Sequence, residues 1–174
     1  KRNMPWRSTN DPYKIWLSEI MLQQTQVKTV IPYYNKWIKK YPTLESVAKS
    51  NFDDLLKIWE GLGYYSRCRN FHKSSIKIFQ DYNCKIPEDF DQFKELPGVG
   101  EYTAGAVLSI AFGKKIPAID TNILRVMSRI LGLKERSKSN LSKIKINMID
   151  YLNTERPGDI NLSLIHISEP TRRA

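Results

Sequence analysis

Apolar positions recur along this chain at helical spacing from end to end, and no stretch alternates in the two-residue rhythm of a strand. The first such stretch is Asp11–Val27. Ile15, Trp16, Leu17, Ile20, Met21 and Leu22 leave almost no polar face, the pattern of a buried helix. Asp11 is placed to cap it, and Pro12 suits its first turn. A second helix carries Val27, Ile31, Tyr34, Trp37 and Ile38 and stops before Pro42. Thr43 caps a short helix bearing Leu44 and Val47. Asn51 caps the next, where Phe52, Leu55, Leu56 and Trp59 form one face.

Gly61-Leu62-Gly63-Tyr64-Tyr65 then reads as a flexible turn, with Tyr64 expected to bury its ring. A helix follows from Ser66, with Phe71, Ile78 and Tyr82 inward and Arg67, Arg69 and Lys73 outward. A short helix runs from Pro87 to Leu96, and Pro97-Gly98-Val99-Gly100 makes a tight hairpin. Glu101–Phe112 is dense in small and apolar residues, as a closely packed helix requires. Asp120 caps a helix with Ile123, Val126, Met127, Ile130 and Leu131 on one face. After a polar linker over Lys134–Asn140, the last amphipathic helix carries Leu141, Ile144, Met148 and Leu152. The class is all-α.

One polar stripe interrupts the first helix. Glu19 and Gln23 share a side of it, with Gln26 beside them if the helix runs that far. A carboxylate among bulky apolar neighbours loses hydration, which favours its protonated form, and a protonated acid is useful to an enzyme. The same position also suits a rim carboxylate paired with a Lys or Arg.

Charge adds a partner. The 174 residues hold 28 Lys+Arg against 18 Asp+Glu, a net charge of +10. That excess favours a polyanion, nucleic acid first. No apolar run is long enough to span a bilayer. Two cysteines, Cys68 and Cys84, and two histidines, His72 and His166, offer neither a disulfide framework nor a histidine metal centre. In Leu96-Pro97-Gly98-Val99-Gly100 the glycines permit unusual backbone angles and close approach of another backbone. The hairpin aims the first N–H groups of the following helix outward, toward an anion such as a DNA phosphate.

A hairpin of this kind between two helices resembles the helix-hairpin-helix element of DNA repair glycosylases. Asp120, in Ala118-Ile119-Asp120-Thr121-Asn122, stands where that superfamily has an aspartate. Trp16-Leu17-Ser18-Glu19-Ile20-Met21-Leu22-Gln23-Gln24-Thr25-Gln26-Val27 and Trp59-Glu60-Gly61-Leu62-Gly63-Tyr64-Tyr65-Ser66-Arg67 are similar to signatures of the adenine DNA glycosylases, the MutY family. Pro5-Trp6-Arg7 joins them, so the likeness runs over about residues 5–162.

The resemblance implies a helix-hairpin-helix glycosylase fold. A six-helix barrel would span residues 20–125, with the hairpin element at about 90–112. Residues 1–19 and 126–162 would belong to an incomplete second helical domain, the one that carries an iron–sulfur cluster. It implies hydrolysis of the N-glycosidic bond of adenine mispaired with 8-oxoguanine or guanine. Glu19 matches the general acid that protonates adenine at N7. Asp120 matches the carboxylate that stabilises the sugar cation, and Asn122 a polar residue of the active site. Gln24 and Tyr64 match residues that enter the duplex near the lesion, so the first helix should end near Leu22. Leu96, Pro97, Gly98, Val99 and Gly100 match the DNA-binding hairpin. Trp6, Arg7 and Leu22 match positions near the adenine pocket. Tyr102 stands where bifunctional relatives of the endonuclease III type carry a lysine, which implies a monofunctional enzyme. The expected setting is a monomer acting on double-stranded DNA in the bacterial cytoplasm, on the nucleoid.

The chain departs from the family in two places. Adenine glycosylases usually have Gly where this chain has Thr121, and a thymine-mismatch branch also lacks that Gly and has a Tyr at the hairpin. Thymine excision from G·T mismatches is therefore the alternative, and a noncatalytic DNA-binding module is another. The four cysteines that hold the family's [4Fe-4S] cluster are absent, as is its domain that helps read 8-oxoguanine. Lys1 in place of a starting Met suggests a fragment. From Ser163 the sequence SLIHISEPTRRA resembles translated adapter, so 163–174 is expected to be a non-native tail.

Overall fold

The computed structural model describes residues 4–133, 138–154 and 156–161. The stretch 163–174, read above as a tail, and residues 134–137 of the linker lie outside them. Among the described residues all regular structure is helical. A 3-10 turn over Pro5–Ser8 precedes α1 (Pro12–Leu22), α2 (Val27–Lys40), α3 (Leu44–Ala48), α4 (Phe52–Trp59), α5 (Tyr65–Asp81), α6 (Phe90–Lys94), α7 (Glu101–Phe112), α8 (Thr121–Ile130) and α9 (Lys138–Tyr151). No helix among them is long and apolar enough to cross a membrane.

The capping residues do what their types dictate. Asp11 accepts from the Tyr13 amide at the start of α1, Asn51 from the Asp53 amide, and Asp120 from the Ile123 amide. Thr43 and Ser46 form a reciprocal capping box. The first turns of α1, α3, α4 and α8 thus find acceptors that the helix itself cannot supply.

The central helix is α1. Apolar nearly all round, it packs against α2, α5 and α7. Trp16, Leu17 and Met21 are fully buried, and Trp16 meets Phe71 edge-on with ring centroids 4.6 Å apart. Trp37 and Trp59 join the same cluster at 5.6 Å. Tyr13 ties α1 to the end of α2: its hydroxyl donates to the Tyr41 carbonyl at 2.6 Å and accepts from Trp37 Nε1 at 3.1 Å. A second, smaller core joins α8 to α9 through Ile123, Met127, Ile144 and Met148.

Close approach explains the small residues of α7. A Cβ on Gly105 would stand 2.6 Å from the Pro117 carbonyl oxygen, so only glycine lets the returning turn lie against the helix. That contact fixes where Asp120 emerges. Buried Asn161 holds the same turn. Its Oδ1 accepts from the Ala118 amide at 3.3 Å, and its Nδ2 donates to Ser109 Oγ at 2.8 Å and to the Ile116 carbonyl at 3.0 Å.

Several faces differ from the periodicity reading. In α4 the inward residues are Leu55, Ile58 and Trp59, with Leu56 at the margin. In α8, Ile130 is 59% exposed, because the inner face follows Ile123 and Met127 toward Leu131. Leu141 is exposed at the first turn of α9. The largest correction is Arg67, expected outward on α5 but only 8% exposed.

Candidate active site

Three side chains converge from separate elements. Glu19 comes from the last turns of α1, Tyr102 from the first turn of α7, and Asp120 from the N-cap of α8. The α1–α7 packing brings Glu19 to Tyr102, supported nearby by Gln23 Nε2 donating to buried Thr103 at 3.4 Å. Solvent still reaches part of the Glu19 side chain, yet loss of hydration dominates and pushes its carboxyl from an ordinary 4.5 up to about 7. A hydrogen bond from Tyr102 and the charge of Arg7 pull the other way and are outweighed. Burial, with the negative charges of Glu19 and Asp120 nearby, drives the Tyr102 phenol well above its usual range. Tyr102 is therefore a neutral hydroxyl donor that feels both carboxyls.

Asp120 is held from two sides. Its Oδ1 accepts from the Ile123 amide at 2.7 Å and its Oδ2 from Asn122 Nδ2 at 3.3 Å. Arg125 Nη2 in turn donates to Asn122 Oδ1 at 2.8 Å, which orients the amide. A negative charge at a helix N-terminus is also favoured by the helix dipole.

The hairpin sits on α5. Leu96 and Val99 are buried, while Gly98 and Gly100 face out. The Pro97 carbonyl accepts from Ser74 Oγ at 2.8 Å. The two glycines differ. Gly98 has φ +78°, and a Cβ there would lie 2.8 Å from Asn70 Cβ. Gly100 is extended at φ −94°, with open space around it. Only Gly98 needs glycine's backbone freedom. At Gly100 no side chain caps α7, so the first amides of that helix keep their donors facing the outside.

Helix α1 ends at Leu22, as the role of Gln24 implied. Gln24 is exposed, with φ +55°, and Tyr64 has φ +49° and is 57% exposed. The ring of Tyr64, expected to be buried as a turn aromatic, is thus an outward one. Leu22 packs partly buried against the main core. Trp6 is buried edge-on to Tyr34 at 5.1 Å, and Arg7 is exposed.

The described residues do not fit an iron–sulfur cluster. No three His, Cys, Asp or Glu side chains among them gather as metal ligands. Cys68 is sealed in the core, its thiol pushed up to about 12 by burial, and the chain's two cysteines cannot supply four thiolates.

Sequence reasoning missed two buried polar residues that tie backbone turns near the site, Arg67 and Asn161. For Arg67 a signal existed: it shares a helical stripe with Phe71, Ser74 and Ile78, all buried. Asn161 carried none, because a lone Asn beyond the last periodic helix does not reveal a return to a turn some forty residues earlier.

Known proteins give the chain its family. Residues 17–147 match the model of the HhH-GPD superfamily base excision DNA repair protein. An adenine DNA glycosylase of Buchnera aphidicola subsp. Baizongia pistaciae is 44% identical over 79% of this chain, which spans 39% of that relative's length. A thermostable thymine-DNA glycosylase superposes with a TM-score of 0.86 at 31% identity, covering 97% of this chain and 79% of the other. An endonuclease III trapped in a covalent DNA complex superposes at 0.73 with 26% identity, covering 88% and 71%. The chain belongs to the HhH-GPD superfamily of base excision DNA repair proteins.

Proposed function

We propose that this chain is the catalytic helical part of a monofunctional adenine DNA glycosylase, which hydrolyses the N-glycosidic bond of adenine mispaired with 8-oxoguanine or guanine. The observation that carries the reading is a carboxyl, Glu19, that lies against Tyr102, where loss of hydration favours its protonated form, with a second carboxyl, Asp120, near enough to act on the same phenol through its charge. Two carboxyl groups suit that chemistry, as in sugar hydrolysis generally. Glu19 gives its proton to adenine N7 as the C1′–N9 bond breaks and the bond's electron pair leaves with the base. Asp120 faces the positive charge left on the sugar. Water then adds at C1′, and a carboxylate of the pair takes its proton. General acid catalysis is worth roughly 10²–10⁴-fold in rate. Tyr102 is a phenol, not an amine, so no Schiff base forms with the sugar.

DNA binds to the same face in this reading. The Gly98–Gly100 hairpin takes a backbone phosphate. Gln24 and Tyr64 enter the duplex, offsetting an unstacking cost of a few kcal/mol. Leu22, Arg7 and Trp6 border the adenine pocket. The barrel spans 20–125, the flanking helices belong to the second domain, and the enzyme acts as a monomer in the bacterial cytoplasm. The 44% identity to a protein named adenine DNA glycosylase supports the choice of base.

Thymine excision from G·T mismatches is the second reading, favoured by Thr121 and by the 0.86 superposition on a thymine-DNA glycosylase. Duplexes carrying A opposite 8-oxoguanine, A opposite G and T opposite G distinguish the two. Release of adenine from the first two, without efficient borohydride trapping, is the expected result. Release of thymine alone would overturn the adenine reading, and efficient trapping the monofunctional one.

A further inference from the structure

Arg67 is a buried cation with, among the described residues, no ion pair. Its guanidinium is satisfied instead by two backbone turns. On one side Nη1 donates to the carbonyls of Ile20, Met21 and Gln23, at 2.9, 3.0 and 2.6 Å, and Nη2 reaches Thr25 Oγ1 at 3.3 Å. On the other side Nη2 donates to the carbonyls of Leu62 and Gly63 at 3.4 and 3.1 Å, and Nε to that of Tyr64 at 3.4 Å. Its Cζ lies over two rings, 5.5 Å from the Trp59 centroid and 5.2 Å from that of Tyr64. Both turns carry a non-glycine residue in the left-handed region, Gln24 and Tyr64. Such a conformation persists only where its surroundings over-determine it.

We propose that Arg67 is the positioning residue that locks these two turns to each other, and so sets where Gln24 and Tyr64 stand when they enter DNA. The inference rests on the wedge reading above. Arg67 itself faces inward and acts through the turns. A planar fork with five donors spans both sets of carbonyls, whereas the point charge of a lysine cannot. A side chain forced between stacked bases meets resistance. A turn that yields wastes the push, and one that is clamped delivers it.

The test compares wild type, Arg67→Lys, Tyr64→Ala and Gln24→Ala on duplexes with 2-aminopurine beside the target adenine. Its fluorescence rises on unstacking and requires no catalysis. Phosphate contacts dominate binding, so Arg67→Lys should hold the duplex within about twofold of the wild-type Kd. Misplaced wedges should cut its fluorescence rise and its single-turnover rate by about 10- to 100-fold. Amide exchange in the free protein should quicken at both 22–26 and 61–65.

Wild-type fluorescence from Arg67→Lys, while Tyr64→Ala has lost the signal, would overturn the proposal. So would faster exchange at 61–65 alone. Wild-type fluorescence from both Tyr64→Ala and Gln24→Ala would instead sink the wedge reading beneath it. If Arg67→Lys does not fold, the unaltered chain decides. Resolved Arg67 Nη resonances with contacts to both turns support the clamp, and a single rapidly averaged signal refutes it.

Discussion

Replacing Glu19 with Gln should stabilise the fold in alkaline solution while removing the proton donor. The folded state holds the Glu19 carboxyl at about 7 against an ordinary 4.5. At about 1.36 kcal/mol per tenfold change in proton affinity, that rise corresponds to about 3.4 kcal/mol. The sign follows from linkage. A raised carboxyl contributes fully to stability below pH 4.5, and the contribution is lost as pH rises through 7. Above that, wild type carries an ionised, poorly hydrated carboxylate. Gln keeps the shape and an oxygen that accepts from Tyr102, but no charge.

Urea unfolding of both proteins from pH 5 to 8.5 measures the difference. Glu19→Gln should be ahead by about 0.8 kcal/mol at pH 5 and about 3.4 kcal/mol at pH 8.5. A gap that stays constant within about 0.5 kcal/mol across that range would refute the reasoning, because it would mean that the carboxyl is not desolvated in the folded chain.

Four further outcomes follow from the structure. Tyr102→Phe removes the hydrogen bond that holds the Glu19 carboxyl down, so the alkaline limb of the pH–rate profile should move to higher pH. An unmoved limb would show that Tyr102 does not touch the acid. Gly98→Ala adds a Cβ against Asn70 at positive φ and should cost about 1–3 kcal/mol in denaturant unfolding. Gly100→Ala meets open space and should leave stability within about 0.5 kcal/mol while weakening DNA binding. Asn161→Ala orphans the Ala118 amide and should cost about 1–3 kcal/mol, read as a lowered Tm.

Helix positions and caps were legible because they follow local rules. Asp11, Thr43, Asn51 and Asp120 all cap where their side chains can reach an early amide. Glu19 stood out as the polar break in an apolar helix, but periodicity alone leaned toward a rim ion pair. What decides for the desolvated acid is α7 packed across α1, a contact about eighty residues away in sequence. Arg67 was misread for a related reason. A charged residue near a helix start defaults to solvent, and only the two turns folding back with free carbonyls make an inward cation favourable. Gly98 and Gly100 look alike in sequence, yet only Gly98 takes a positive φ, while Gly100 is extended with open space around it. Tyr64 was placed outward by the turn's left-handed geometry, which hydrophobicity does not report.

The central claim is that Glu19 delivers the proton that releases the base. Single-turnover adenine release from a duplex with A opposite 8-oxoguanine tests it, run from pH 5 to 9 with wild type, Glu19→Gln and Asp120→Asn, and with duplex binding measured in parallel. The wild-type rate should fall about tenfold per pH unit above about 7, and both variants should bind DNA yet lose at least about 10²-fold in rate. Substantial turnover by Glu19→Gln with normal binding, or a wild-type rate indifferent to pH across that range, would contradict it.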